Sequence, residues 1–167
     1  HDPAATNRIY HDIWQPFERR FNGRAEAFFF PYCLTNESNT KKSEIFVQLR
    51  VMWKNLDPEQ VVHHMEPYQT PFLAIDQTCK VEGSEKITEA LDRLKRLRRP
   101  TVIYPFVMSL LKSYTDGEST EEQVTQTLTS IEIFLVRRAI LGYEPTGLHA
   151  LFKGLWGDID DLNPSAL

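Results

Sequence analysis

Apolar residues recur every three or four positions along almost the whole chain, the period of a helix that buries one face. Ile9, Ile13, Phe17 and Phe21 set the first such row and predict an amphipathic helix over 7–21, bent at Pro16 and closed by Gly23. An aromatic-rich helix over 25–34 follows, carrying Phe28, Phe29 and Phe30, with Pro31 expected to kink or shorten it. The polar run TNESNTKK reads as a loop. A third helix over 43–55 is expected to bury Ile45, Phe46, Leu49, Met52 and Trp53. Asp57 then has the place of an N-cap, with Pro58 at the first helical position. Pro67 and Pro71 predict that this fourth helical stretch is two pieces rather than one rod.

The second half repeats the pattern with fewer interruptions. Ser84 has the place of a cap for a helix whose face is Ile87, Leu91, Leu94 and Leu97, and which stops ahead of Pro100. A short, very apolar helix over 102–114 carries Pro105 near its start, and TDGES makes the next turn. Thr120 and Gln123 have capping-box spacing and open the longest helix, 120–141, which Gly142 stops. Thr146 is expected to cap a last helix over 147–156 that buries Leu148, Leu151, Phe152 and Leu155. Strand periodicity is nearly absent, and neither a repeat period nor a domain linker interrupts the chain. The reading is all-α: one domain over 1–167, a single bundle of about seven or eight helices with short connections.

Composition narrows the function classes. A chain of 167 residues with 41% hydrophobic residues can bury a core of its own. The net charge of −4 argues against a uniformly basic nucleic-acid binder, so any such surface is regional. Cys33 and Cys79 stand far apart without a C-x-x-C pair, which fits buried free thiols in a reducing cytosol. No export signal and no apolar run of about 18 residues is present, so neither export nor a membrane span is expected, and the localisation read is cytoplasmic. The chain begins with His1 rather than methionine and enters helical sequence within a few residues, which reads as a piece of a longer protein.

Signals for chemistry are sparse. Neither G-x-x-x-x-G-K-[ST] nor G-x-G-x-x-G occurs, so no phosphate loop is assigned. His63 and His64 point about 100° apart on a helix, and His63 with Glu66 has workable ligand spacing but no third partner. No serine sits in a Gly-flanked elbow, and the carboxylates of DIDD, 158–161, read as a solvated tail. No catalytic residue, metal ligand or cofactor is therefore expected here. The aromatic clusters at Phe28 to Phe30 and at Trp53 read as core before they read as base-stacking platforms.

Two cationic stretches stand out. RLKRLRR, 93–99, sets Arg93, Lys95, Arg96, Arg98 and Arg99 on a ridge at a helix C-terminus while Leu94 and Leu97 face inward. Such a ridge either compensates the helix dipole or contacts phosphates with steep salt dependence. FLVRRAILG, 134–142, holds two adjacent arginines within an apolar run. Val124, Leu128, Ile131 and Leu135 define one face of that helix. Arg138, seven residues after Ile131, falls near the middle of the same face, and Arg137 points away. An inward arginine needs a carboxylate or several carbonyls, and Glu18 and Asp76 are the candidates for Arg138 as an internal staple. Arg137 is either a helix-end cation or a phosphate contact.

IEIFLVRRAILGYEPTGLHALF, 131–152, resembles the closing part of the N-terminal region of GmrSD-type modification-dependent restriction proteins. The matching residues are Arg137, Arg138, Ile140, Leu141, Gly142, Thr146 and Leu148, while His149 stands where that family usually has Asn. At the start, IYHDIWQPFERRF matches the family's Tyr, Trp-x-Pro and Glu through Tyr10, Trp14, Pro16 and Glu18. The resemblance runs over roughly 8–156. It implies a helical segment following a ParB-like α/β region with an Asp-Gly-Gln-Gln-Arg motif linked to nucleotide hydrolysis, in a parent that often ends in an HNH-type nuclease. Neither of those parts is within these residues. The implied role is to support the nucleotide-handling region, help sense DNA and pass that state to an effector in defence against phage or foreign DNA. The segment itself is implied to be catalytically silent, with Trp14, Glu18, Arg138 and Thr146 as structural or coupling residues. The partners expected are DNA, the ParB-like region and a second copy of the chain. A protein-binding helical adaptor that touches no nucleic acid is the alternative.

Overall fold

The computed structural model describes residues 7–36, 40–76, 80–97 and 101–143, together with Leu148, Leu151, Phe152 and Leu155. The fold is all-α, and no strand occurs among the described residues. The α-helices are α1 (Gln15–Arg20), α2 (Glu26–Asn36), α3 (Ile45–Met52), α4 (Pro58–Asp76), α5 (Glu85–Arg96), α6 (Tyr104–Thr115) and α7 (Glu121–Ile140). They gather into two compact units, His1–Gln69 and Thr70–Leu167.

Prolines shape several helices without ending them. Ile9–Trp14 winds as a π-helix immediately ahead of Pro16, so the N–H that proline lacks is absorbed by a wider turn rather than a simple bend. α2 runs unbroken through Pro31 to Asn36, and α4 runs unbroken through Pro67 and Pro71, against the expectation of two pieces. The physical reason lies on the exposed side. In α4 the prolines stand four apart and deprive the carbonyls of His63 and Pro67 of their helical donors; both residues are exposed, where water can supply the missing donor. Asp57 Oδ1 accepts from Gln60 N at 2.9 Å, and Asp57 N donates to Gln60 Oε1 at 3.0 Å, closing α4 with a capping box.

The core of the first unit is aromatic. Phe17, Phe21, Phe28 and Tyr32 are buried, with successive ring centres 4.9 Å apart for Phe17–Phe21, 5.1 Å for Phe21–Phe28 and 5.3 Å for Phe28–Tyr32. Burial raises the pKa of the Tyr32 phenol. Trp53 opposes that rise as a neighbouring donor, yet the two groups do not meet in hydrogen-bond geometry, and Tyr32 Oη and Trp53 Nε1 are both buried without a partner. α3 departs from its expected pattern. Only Leu49 is buried, Ile45, Met52 and Trp53 are half-buried, and Phe46 is 77% exposed beside exposed Val47 and Val51.

The second unit follows its sequence signals closely. Ser84 Oγ accepts from Ile87 N at 3.0 Å and caps α5, whose Ile87, Leu91 and Leu94 are buried. Thr120 and Gln123 form the reciprocal capping box at the start of α7, whose Val124, Leu128 and Ile131 are buried. α6 is almost wholly interior at its start, from Tyr104 to Met108. Leu148 and Phe152 are buried, with the Phe152 ring edge-on to Phe106 and Phe134. Leu151 and Leu155 are exposed, contrary to the expectation that all four would be covered.

Candidate nucleic-acid interface

Four contacts, from Ser84, Lys86 and Arg93, fix the register of α5 against α7. Ser84 Oγ donates to Glu121 Oε1 at 2.7 Å, and Lys86 Nζ meets Glu121 Oε2 at 3.1 Å. Farther along, Arg93 Nε donates to Glu132 Oε2 at 2.8 Å and its Nη2 to Thr129 Oγ1 at 3.4 Å. The start of α5 meets the start of α7 and its last turns meet the middle of the longer α7, so the two helices run parallel. α6 lies between them in the chain. Arg96 lies three residues past Arg93 and Arg137 five past Glu132, so both fall along the later turns of the pair, with Arg137 rotated about 140° from the Glu132 side of α7.

The expected cationic residues divide along these turns. Arg93 is held by Glu132, and Lys95 Nζ meets Asp92 Oδ1 at 3.0 Å with most of its side chain covered. Each of those charges has a carboxylate beside it. Arg96 and Arg137 are exposed. Arg98, Arg99 and Thr146 lie outside the described residues, as do Cys79, His149 and the DIDD segment.

Arg138 is half-buried, and its guanidinium carbon lies 5.7 Å from the ring centre of Phe134 and 5.4 Å from that of Tyr143. The first contact is the ordinary i, i+4 neighbour of a helix face. The second depends on how α7 ends. Gly142 adopts φ +69°, Tyr143 N donates to Arg138 O at 3.0 Å and Gly142 N to Ala139 O at 3.2 Å, a Schellman termination that turns the chain back over its last turn. Tyr143, 64% exposed, is thereby laid against Arg138. Sequence reasoning placed Arg138 by the helical wheel and passed over Tyr143. The available signal was a stopping glycine followed at once by an aromatic residue. Ile140 and Leu141, also exposed, flank the same terminus.

The chain matches no family model, no curated protein and no solved structure.

The remaining expected residues have contacts of their own. Asp76 Oδ1 accepts from Tyr104 Oη at 3.2 Å. Trp14 is half-buried in the first unit, stacked on Phe29 at 6.4 Å, and Glu18 lines a shallow cleft there with Tyr10, Arg19 and Glu26. A second cleft of about 370 Å³ is lined by Asp12, Phe17, Arg20, Glu59, His63 and Gln69, among others. At its edge His63 Nδ1 and Glu66 Oε2 lie 3.0 Å apart, and Arg20 Nη1 donates to Gln69 Oε1 at 3.0 Å. Among the described residues no three metal-capable side chains converge. No helix among them is long and apolar enough to cross a membrane.

Proposed function

We propose that this chain is a helical regulatory segment that contacts DNA within a GmrSD-like modification-dependent restriction or anti-phage protein, and that it does no chemistry of its own. The resemblance of Arg137, Arg138 and Gly142, and of Trp14, Pro16 and Glu18, to that family's motifs motivates the reading. The observation that supports it most is that α5 and α7 pack in parallel and that Arg96 and Arg137 are both exposed along the later turns of that pair, in a chain of net charge −4. Phosphates recruited there release counterions, so affinity falls steeply with salt. Arg98 and Arg99 extend the same run in sequence. The test is fluorescence anisotropy of labelled DNA over a salt series, with Arg96→Glu and Arg137→Glu combined. The reading expects a steep negative salt slope that the double variant flattens, and salt-independent or absent binding removes it.

A second reading has its own observation. Phe46, Val47 and Val51 expose an apolar stripe on α3, of the kind a protein partner covers. On that reading the chain is an adaptor. Concentration-dependent self-association in sedimentation, without DNA affinity and lost in Phe46→Ser, is what it expects.

A further inference from the structure

We infer that the end of α7 receives an unpaired base of single-stranded DNA, stacked on the open face of Tyr143 with a neighbouring phosphate on Arg137. The inference rests on the DNA-contact reading above and narrows it from duplex to single strand.

Phe134, Arg138 and Tyr143 form a ladder of ring, guanidinium and ring, with the cation 5.7 Å and 5.4 Å from the two ring centres. Its inner end is anchored, because Phe134 is half-buried and packs edge-on to buried Phe152 at 6.3 Å. Its outer end is 64% exposed. A further flat π system continues such a ladder at little cost, because Tyr143 is held from both directions: its backbone N–H is bonded to Arg138 O, and its ring lies over the Arg138 guanidinium.

The surroundings match a nucleotide strand. Arg137, next along the helix, is exposed and supplies a phosphate contact, and Arg96 lies along the later turns of the same helix pair. Exposed Ile140 and Leu141 offer apolar surface to sugar and base. Duplex DNA keeps its base faces stacked internally and presents none to Tyr143, whereas a single strand presents every one. Aromatic stacking beside a cationic track is the general mode of single-strand binding.

The test uses the full chain with three labelled probes at low salt: oligothymidine, the same backbone carrying abasic positions, and a duplex of equal length. Oligothymidine is expected to bind more tightly than its abasic counterpart. Tyr143→Ala is expected to lose on the order of tenfold affinity for oligothymidine and almost none for the abasic strand, while Tyr143→Phe retains the wild-type value. Equal affinity of Tyr143→Ala and wild type for oligothymidine, or a preference for duplex over single strand, overturns the inference and leaves the DNA-contact reading standing. No affinity for any probe removes both. Self-association that Tyr143→Ala abolishes, without DNA affinity, assigns this surface to a second copy of the chain and likewise overturns it.

Discussion

Ser84 Oγ lies 2.7 Å from Glu121 Oε1 and 3.0 Å from Ile87 N, so one nearly buried hydroxyl both caps α5 and ties it to the first turn of α7. Ser84→Ala removes both bonds at once. Loss of an N-cap alone costs about 1 kcal/mol, and leaving the buried Ile87 N–H unsatisfied adds to it. The variant is expected to be about 1–3 kcal/mol less stable. A urea titration monitored by circular dichroism, with an unchanged m-value, checks this. A midpoint equal to wild type would show that water replaces the hydroxyl.

The same contact makes stability depend on acid. The Ser84 hydroxyl, then Lys86, hold the Glu121 carboxyl below its ordinary pKa. A carboxylate depressed in the folded state contributes stability that is present above its unfolded value and lost as pH falls through the folded one. The melting temperature is therefore expected to drop on the acid side of the usual carboxylate range. Glu121→Gln should show a lower melting temperature at neutral pH and a smaller drop on acidification. Parallel acid limbs for the two proteins would assign the loss to other carboxylates.

Arg93 and Arg96 share a ridge in the sequence and differ in the structure. Arg93 is held 2.8 Å from Glu132, whereas Arg96 is exposed. Arg96→Ala is expected to reduce the salt slope of DNA binding by about one phosphate contact, and Arg93→Ala to leave it nearly unchanged. Arg93→Ala instead lowers stability, by up to about 1 kcal/mol, because the pair it breaks is partly solvated. The reverse order of salt slopes would place the phosphate track on the Glu132 side of α5.

How much of this was legible beforehand depends on how local each cause is. The Ser84 cap, the Thr120–Gln123 box and the Gly142 stop are set by residues within a turn of one another, and they stand where periodicity put them. Pro67 and Pro71 leave α4 unbroken on a side where the residues that lose a donor, His63 and Pro67, are exposed, and exposure is a tertiary property that the sequence pattern does not display. Phe46 was misread for a related reason: the apolar row on α3 is wider than the surface available to cover it. At the candidate site, the arginines were visible in the sequence. Their division into paired and exposed was not, since it depends on Glu132 lying opposite Arg93 in a different helix.

Phe28 and Phe46 test that distinction directly. Phe28 is fully buried among Phe17, Phe21 and Tyr32, and Phe28→Ala is expected to cost about 3–5 kcal/mol. Phe46→Ala removes a ring that is 77% exposed and should shift stability by no more than about 0.5 kcal/mol. Chemical denaturation of the two variants side by side gives the comparison. A large loss in Phe46→Ala would mean that a second copy covers α3 in solution, which dilution of the wild type would then reveal.

Tyr32 gives the opposite kind of core test. Its hydroxyl is buried without a partner, and burial holds the phenol neutral well into the alkaline range. Tyr32→Phe deletes an oxygen that makes no bond and keeps the ring against Phe28 and Tyr68. The expected change is within about 1 kcal/mol and on the stabilising side, because the folded state no longer carries an unsatisfied buried polar group. Loss of stability greater than that would show that the Trp53 indole N–H does donate to the Tyr32 oxygen in solution. Trp53→Phe would then produce a loss of similar size, and the double variant would lose no more than either single one.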